Sequence, residues 1–217
     1  MGEVEINKTG RQLIIHSSLF FYGGAATDAL SKAVAKDVAD HWNEVAAFVS
    51  LNREPYQVYF DIEGIWAETI TPGMVFENDN PRNNYFRVEA FAYGNISSVD
   101  RIGSNTGYFK LDNLLNNSTT AAHEYGHTIG LRHPAVLNIR GRGVPGIMYP
   151  RGTIVDPPFQ YNPAAALGEP GDTMNPFTRK VQPQDIDNLR LHRLSFNRQG
   201  FAVLGEFSSV WHDAHNP

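Results

Sequence analysis

One segment constrains this chain more than any other: His123-Glu124-Tyr125-Gly126-His127-Thr128-Ile129-Gly130-Leu131-Arg132-His133. On a helix, residues four apart lie about 40° apart around the axis and one turn up. His123 and His127 therefore project from one face, where two imidazole nitrogens can reach one ion at roughly 2.0–2.1 Å. Glu124 lies about 100° around from His123, so it stands beside such an ion rather than binding it. A helix continued to position 133 would carry the third histidine away. Gly130 provides the break, because a residue without Cβ can take the left-handed conformation that ends a helix. Pro134 then bars resumption. Three neutral histidines leave a fourth tetrahedral position open, the layout of a catalytic site rather than a closed structural one.

A lone His-Glu-x-x-His is a weak signal. With Gly130 and His133 also required, background frequencies put a chance match on the order of one in ten thousand or less. Two plainer readings stand beside the catalytic one: a helix that merely carries histidines, and a zinc site without catalysis.

With 217 residues, 41% of them hydrophobic, the chain can bury one sizeable core. A net charge of -5 and a pI near 5.9 argue against a nucleic-acid binder. Its arginines, Arg151 among them, are scattered between acids and read as solvated surface. The absence of cysteine removes disulfides, thiol nucleophiles and Cys-held metals. No apolar run reaches membrane-spanning length, and the start, Met1-Gly2-Glu3-Val4-Glu5, lacks a signal-peptide pattern. Either export by that route is excluded or the chain begins after a targeting segment. A monomer is expected.

Hydrophobic periodicity predicts a buried strand from Gln12 to Tyr22, then a long helix capped by Thr27 and reaching about Val49. Leu30, Val34, Val38, Trp42, Val45 and Val49 form its inward stripe. Alternation predicts strands over Tyr56–Glu63, Tyr85–Phe91 and Gly107–Leu111. A second helix surrounds His123. From Pro134 to Lys180 loops dominate, then a helix starts at Pro183 and runs to about Leu194. A short strand or hairpin is expected within Phe201–Trp211. The order implies a mixed α/β (α+β) fold in a single domain, residues 1–217.

The segment His123–His133 resembles the H-E-x-x-H-x-x-G-x-x-H signature of the metzincin clan of zinc endopeptidases. The resemblance implies a zincin fold. Its upper lobe, about 1–133, would carry a twisted mixed sheet and two helices. Its loop-rich lower lobe, about 134–217, would end in a helix. A methionine turn under the metal is also implied. Gly146-Ile147-Met148-Tyr149-Pro150 is similar to the matrixin turn and is the favoured candidate, while Asp172-Thr173-Met174-Asn175-Pro176 is the other, its methionine read as a core filler. By chain order Gly107–Leu111 would be the edge strand over the cleft, with Tyr108 and Phe109 touching substrate; a plain sheet strand is the alternative. Segment 145–150 would wall the pocket beside the scissile bond.

Pro150, two places after Met148, replaces the tyrosine that some clan members add as a ligand, so three protein ligands are expected. A cysteine switch is impossible within a chain that has no cysteine. The insert 151–180 is not matrixin-like. The stretches 146–153 and 175–181 more weakly resemble peptidase-like domains at the ends of bacterial RHS-repeat proteins. That would make the chain a delivered or self-processing module acting outside the producing cell, although a cytoplasmic location stays open.

The implied reaction is peptide hydrolysis, with one zinc ion on His123, His127 and His133 and with Glu124 as general base. A toxin-like effector hydrolase with one dedicated target and a non-catalytic peptide-binding module are the alternatives. Elsewhere, His16 reads as a sheet-face residue, His41 as boundary packing, His192 as a partner of the last helix's C-terminal dipole, and His212 and His215 as tail residues. Structural calcium on Asp61, Glu63, Asp79 or Asp100 finds no Asp-x-Asp-x-Asp-Gly loop to support it.

Overall fold

A computed structural model describes residues 1–216. Its centre is a mixed sheet organised around one long strand, β2 (Gln12–Tyr22). The first half of β2 pairs antiparallel with β1 (Gly2–Asn7), and the second half pairs parallel with β5 (Asn83–Glu89). On its other side β2 pairs parallel with β4 (Glu54–Trp66), which pairs antiparallel with β3 (Phe48–Leu51). Beyond β5 come β7 (Thr106–Lys110), parallel, and then β6 (Ser98–Val99), antiparallel at the edge. Strand β8 (Phe201–Leu204) returns from the C-terminal region to pair with β1.

Alternation along β2 buries Leu13, Ile15, Ser17, Leu19 and Phe21 on one face. Helix α1 (Asp28–Glu44) covers that face, its N-cap Thr27 accepting from Leu30 N–H at 3.1 Å. Val34, Val38 and Trp42 face inward as the stripe predicts. Trp42 ties the layers together: its ring packs on Phe60 and Tyr125, and its Nε1–H donates to Ala122 O at 3.0 Å. The opposite face carries a smaller cluster of Tyr22, Val75 and Tyr85, covered by α2 (Pro72–Phe76) and the tail residue Trp211.

The structure corrects several sequence expectations. Helix α1 stops at Glu44 instead of near Val49, because Ala46 is left-handed (φ 45°) and the Asn43 amide bonds both backbone groups of Phe60 at 2.9 Å. Val49 then lies in β3, turned back by a two-residue hairpin in which Asn52 and Arg53 both have positive φ. The helix from Pro183, α4 (Pro183–Asn188), ends before left-handed Arg190, so His192 sits in a separate short turn. Strand β7 is not the sheet edge, since β6 covers it. Residues 201–216 do not group with the loop-rich segment: β8 joins the sheet, and Trp211 stacks on Tyr22.

Between Pro134 and Gln182 there is no regular strand, only isolated bridges such as Asn138 with Ile154 and Gly146 with Lys180. This segment holds its own small core of Ile139, Val155 and Met174. Among the described residues, no helix is long and apolar enough to cross a membrane.

Candidate metal centre

Helix α3 (Thr120–Thr128) is buried along its whole length. Ile129 N–H still bonds Tyr125 O, and then Gly130 takes φ 102°. Leu131 N–H reaches Gly126 O at 2.9 Å and Gly130 N–H reaches His127 O at 3.0 Å, the paired bonds of a Schellman ending. The chain leaves the helix there, and two residues after Leu131 the imidazole of His133 faces those of the helix.

The three rings converge. His133 Nε2 lies 3.1 Å from His123 Nε2 and 2.9 Å from His127 Nε2. Ligand atoms of all three lie within 4.8 Å of one another. The far side of each helical ring is held: His123 Nδ1 is 2.7 Å from Ile147 O, and His127 Nδ1 is 2.7 Å from Leu131 O. A carbonyl can only accept, so Nδ1 carries the proton and Nε2 keeps a lone pair. Burial, first among the causes, pushes His123 well down and lowers His127 and His133; Arg179 nearby adds to it for all three. Neutral imidazoles result. Lone pairs at this separation repel unless a cation lies between them, and tetrahedral zinc ligands stand about 3.3 Å apart. The donor set therefore fits a divalent ion of the zinc kind.

The loop-rich segment closes the centre from beneath. Tyr149 N–H to Gly146 O, 3.2 Å, closes a turn that buries Met148 and presents Ile147 O to His123. The Met148 sulfur occupies the space a Cβ on Gly126 would need, with the Trp42 ring on the other side. A Cβ there would force the Met148 side chain to shift. Met148 packs against Gly126, between His123 and His127 on the helix, whereas Met174 lies in the separate core.

Glu124 is buried, and its Oε2 accepts from Val99 N–H at 3.2 Å. Burial raises its carboxyl to about 7, opposed by that hydrogen bond and by Arg179 and Arg151. It lines two cavities, of about 220 Å³ and about 600 Å³, together with His123 and His133. The smaller is bounded by Pro150, Arg151 and Arg179, the larger by Ser98, Val99 and Arg132.

Tyr108 and Phe109 do not reach either cavity. Phe109 stacks on Phe86 at 4.7 Å inside the core, and the Tyr108 hydroxyl donates to Phe91 O at 2.9 Å beneath His215. The strand beside the centre is β6, a two-residue edge too short to show a period. Sequence reasoning also missed Arg179 and treated Arg151 as plain surface; no periodicity marks either. His16 bonds Glu5 and Asp61 on the sheet face, and His41 lies 3.6 Å from Asp37. His212 pairs with Asp100 at 2.8 Å, so the tail histidines are packed onto the sheet. Among the described residues, the triad is the one group of three or more potential metal-binding side chains.

No protein-family model matches this chain, and no curated protein does. Among solved structures, archaemetzincin from Methanopyrus kandleri is similar at 14% identity and a TM-score of 0.36, covering 64% of this chain and 83% of its own. So loose a likeness leaves the chemistry to be read from the chain's own residues.

Proposed function

We propose that this chain is a zinc-dependent endopeptidase of metzincin type. The observation that carries the reading is the convergence of three Nε2 atoms, two of them with fixed tautomers, next to a buried carboxylate facing a cleft. His123, His127 and His133 would hold the ion, with Met148 in the turn below them. Zinc in such a site lowers the pKa of bound water and polarises a carbonyl.

Glu124 is the proton carrier. Its carboxylate takes a proton from the attacking water and gives it to the leaving amine, a role typically worth 10²–10⁴-fold. The Val99 N–H restrains that carboxylate at Oε2 and leaves Oε1 for the transfer. Val99 turns away from β7, and since its N–H is held by Glu124, its C=O is the group left on β6 for an extended polypeptide laid alongside. Without such a strand the substrate would lack a fixed register at Glu124.

The test is metal analysis with digestion of an unfolded protein, with and without chelator. One zinc per chain and chelator-sensitive cleavage are expected. Glu124→Gln should keep the zinc and lose at least 10²-fold in turnover. Turnover that survives that change would remove Glu124 from its role, and a chain that retains no zinc would end the proposal.

A further inference from the structure

Arg179 is the least expected side chain at this centre. It is 4% exposed, yet among the described residues no carboxylate lies within ion-pair distance of it. Its Nε–H donates to Thr119 Oγ1 at 2.9 Å and its Nη1 to Tyr149 O at 3.0 Å. Those bonds use two of the five N–H donors of a guanidinium. They fix the plane of the fork, because Thr119 precedes α3, donates in turn to Pro176 O, and Tyr149 follows Met148. Arg179 also lines the 220 Å³ cavity, with three guanidinium N–H donors outside those two bonds.

Arg151 stands in the same cavity, exposed, with Nη2 3.3 Å from Asn113 Oδ1. Glu124 is the one carboxylate among the residues lining it. On the other side of the triad Arg132 lines the larger cavity. The cleft is thus cationic in a chain whose net charge is -5. The proposed chemistry does not account for this. A guanidinium beside a metal site repels the ion, and Arg179 has only the carboxylate of Glu124, beyond ion-pair distance, to offset the cost of its burial. An anionic occupant would resolve both, and a planar carboxylate matches an arginine fork on two bonds at once.

We infer that the cavity between Glu124 and the Arg151–Arg179 pair is a carboxylate subsite, which gives this enzyme substrates bearing an acidic group immediately beyond the bond to be cut. This rests on the peptidase reading and names its substrate class. The carboxylate has two possible sources, an Asp or Glu side chain within a polypeptide and the free end of a chain. A brace that merely joins Thr119 to Tyr149 is the competing role for Arg179.

The experiment uses the zinc-loaded chain and three matched peptides: Glu after the cut, Gln in its place, and Gln with the cut moved next to a free C-terminal carboxylate. Variants are Arg151→Gln, Arg179→Lys and, as a control for net charge, exposed Arg142→Gln. The Glu peptide should exceed the Gln peptide in kcat/KM by about tenfold or more, as a charge-assisted pair implies. Arg151→Gln and Arg179→Lys should erase most of that ratio, and Arg142→Gln should leave it. Preference for the third peptide assigns the carboxylate to a chain end. Equal rates on all three peptides, or losses in Arg151→Gln that fall equally on every peptide, overturn the inference and leave the peptidase reading standing.

Anisotropy of the same labelled peptides on zinc-loaded Glu124→Gln gives a readout free of turnover. Arg151-dependent binding of the Glu peptide by a wild-type chain that cuts nothing would keep the subsite and remove the peptidase reading. Binding that ignores Arg151 would place the carboxylate on the metal and remove the subsite.

Discussion

Helix α3 and the loop segment 145–180 meet at the same histidines, but different bonds hold them. The helix carries its own backbone ladder, ends on a Schellman turn and delivers His123, His127 and Glu124. The loop has isolated bridges and turns instead, and it delivers Ile147 O, Met148, Arg151 and Arg179. One region supplies two of the converging imidazoles and the buried carboxylate, and the other orients them and sets the charge around them. The histidines keep their register only if the loop is as well fixed as the helix, and beyond its local turns that fixing is tertiary.

The contrast is sharpest at the two buried methionines. Met148→Ala and Met174→Ala should each cost about 2–5 kcal/mol of stability, measured by urea unfolding. Only Met148→Ala should weaken zinc binding, by tenfold or more in a chelator competition. Equal zinc affinities in the two variants would break the division of labour between the regions.

Next in size is a pH effect at the junction of α4 with the turn. Burial raises the Asp185 carboxyl from its ordinary 3.8 to about 6, against bonds from the Gln182 and Ile147 N–H groups. The folded state holds that proton more tightly than the unfolded chain does. Its contribution is therefore complete below about pH 4 and lost as pH rises through about 6, on the order of 2–3 kcal/mol. The histidines have the opposite sign: their lowered pKa values remove stability as pH falls below 6.5. Unfolding at pH 4.5 and pH 6.5, wild type against Asp185→Asn, isolates the carboxyl. An unchanged difference between the two pH values would show that Asp185 is not the group responsible.

Gly130→Ala tests the helix side. Forcing a Cβ into φ 102° should cost about 1–3 kcal/mol, and zinc affinity should fall because the turn also bears on His127 Nδ1. The smallest effect is expected far from the centre: Thr27→Ala should remove about 1 kcal/mol through the lost cap and leave zinc affinity unchanged. A loss of zinc in that variant would mean that α1 tunes the centre through Trp42.

Much of the architecture was legible in advance, and for one reason. Strand β2 and the inward stripe of α1 repeat at their own periods, so Leu13, Ile15, Val34, Val38 and Trp42 declare their burial locally. The triad was legible because the helix angle and a glycine break act over a few residues. The end of α1 was not, since it depends on Asn43 meeting Phe60, and neither was β6, an edge made only by its pairing with β7.

By itself, then, the sequence determined the periodic elements, the convergence of His123, His127 and His133, and the place of Glu124 beside them. Backbone geometry repeated over neighbouring residues is enough for that. The tertiary structure alone decided that β6 and not β7 borders the cleft, that Met148 packs on Gly126, and that Arg179, 55 residues after Glu124, lines the same cavity. Those are contacts between distant segments without a period, and no local pattern encodes where such chains cross.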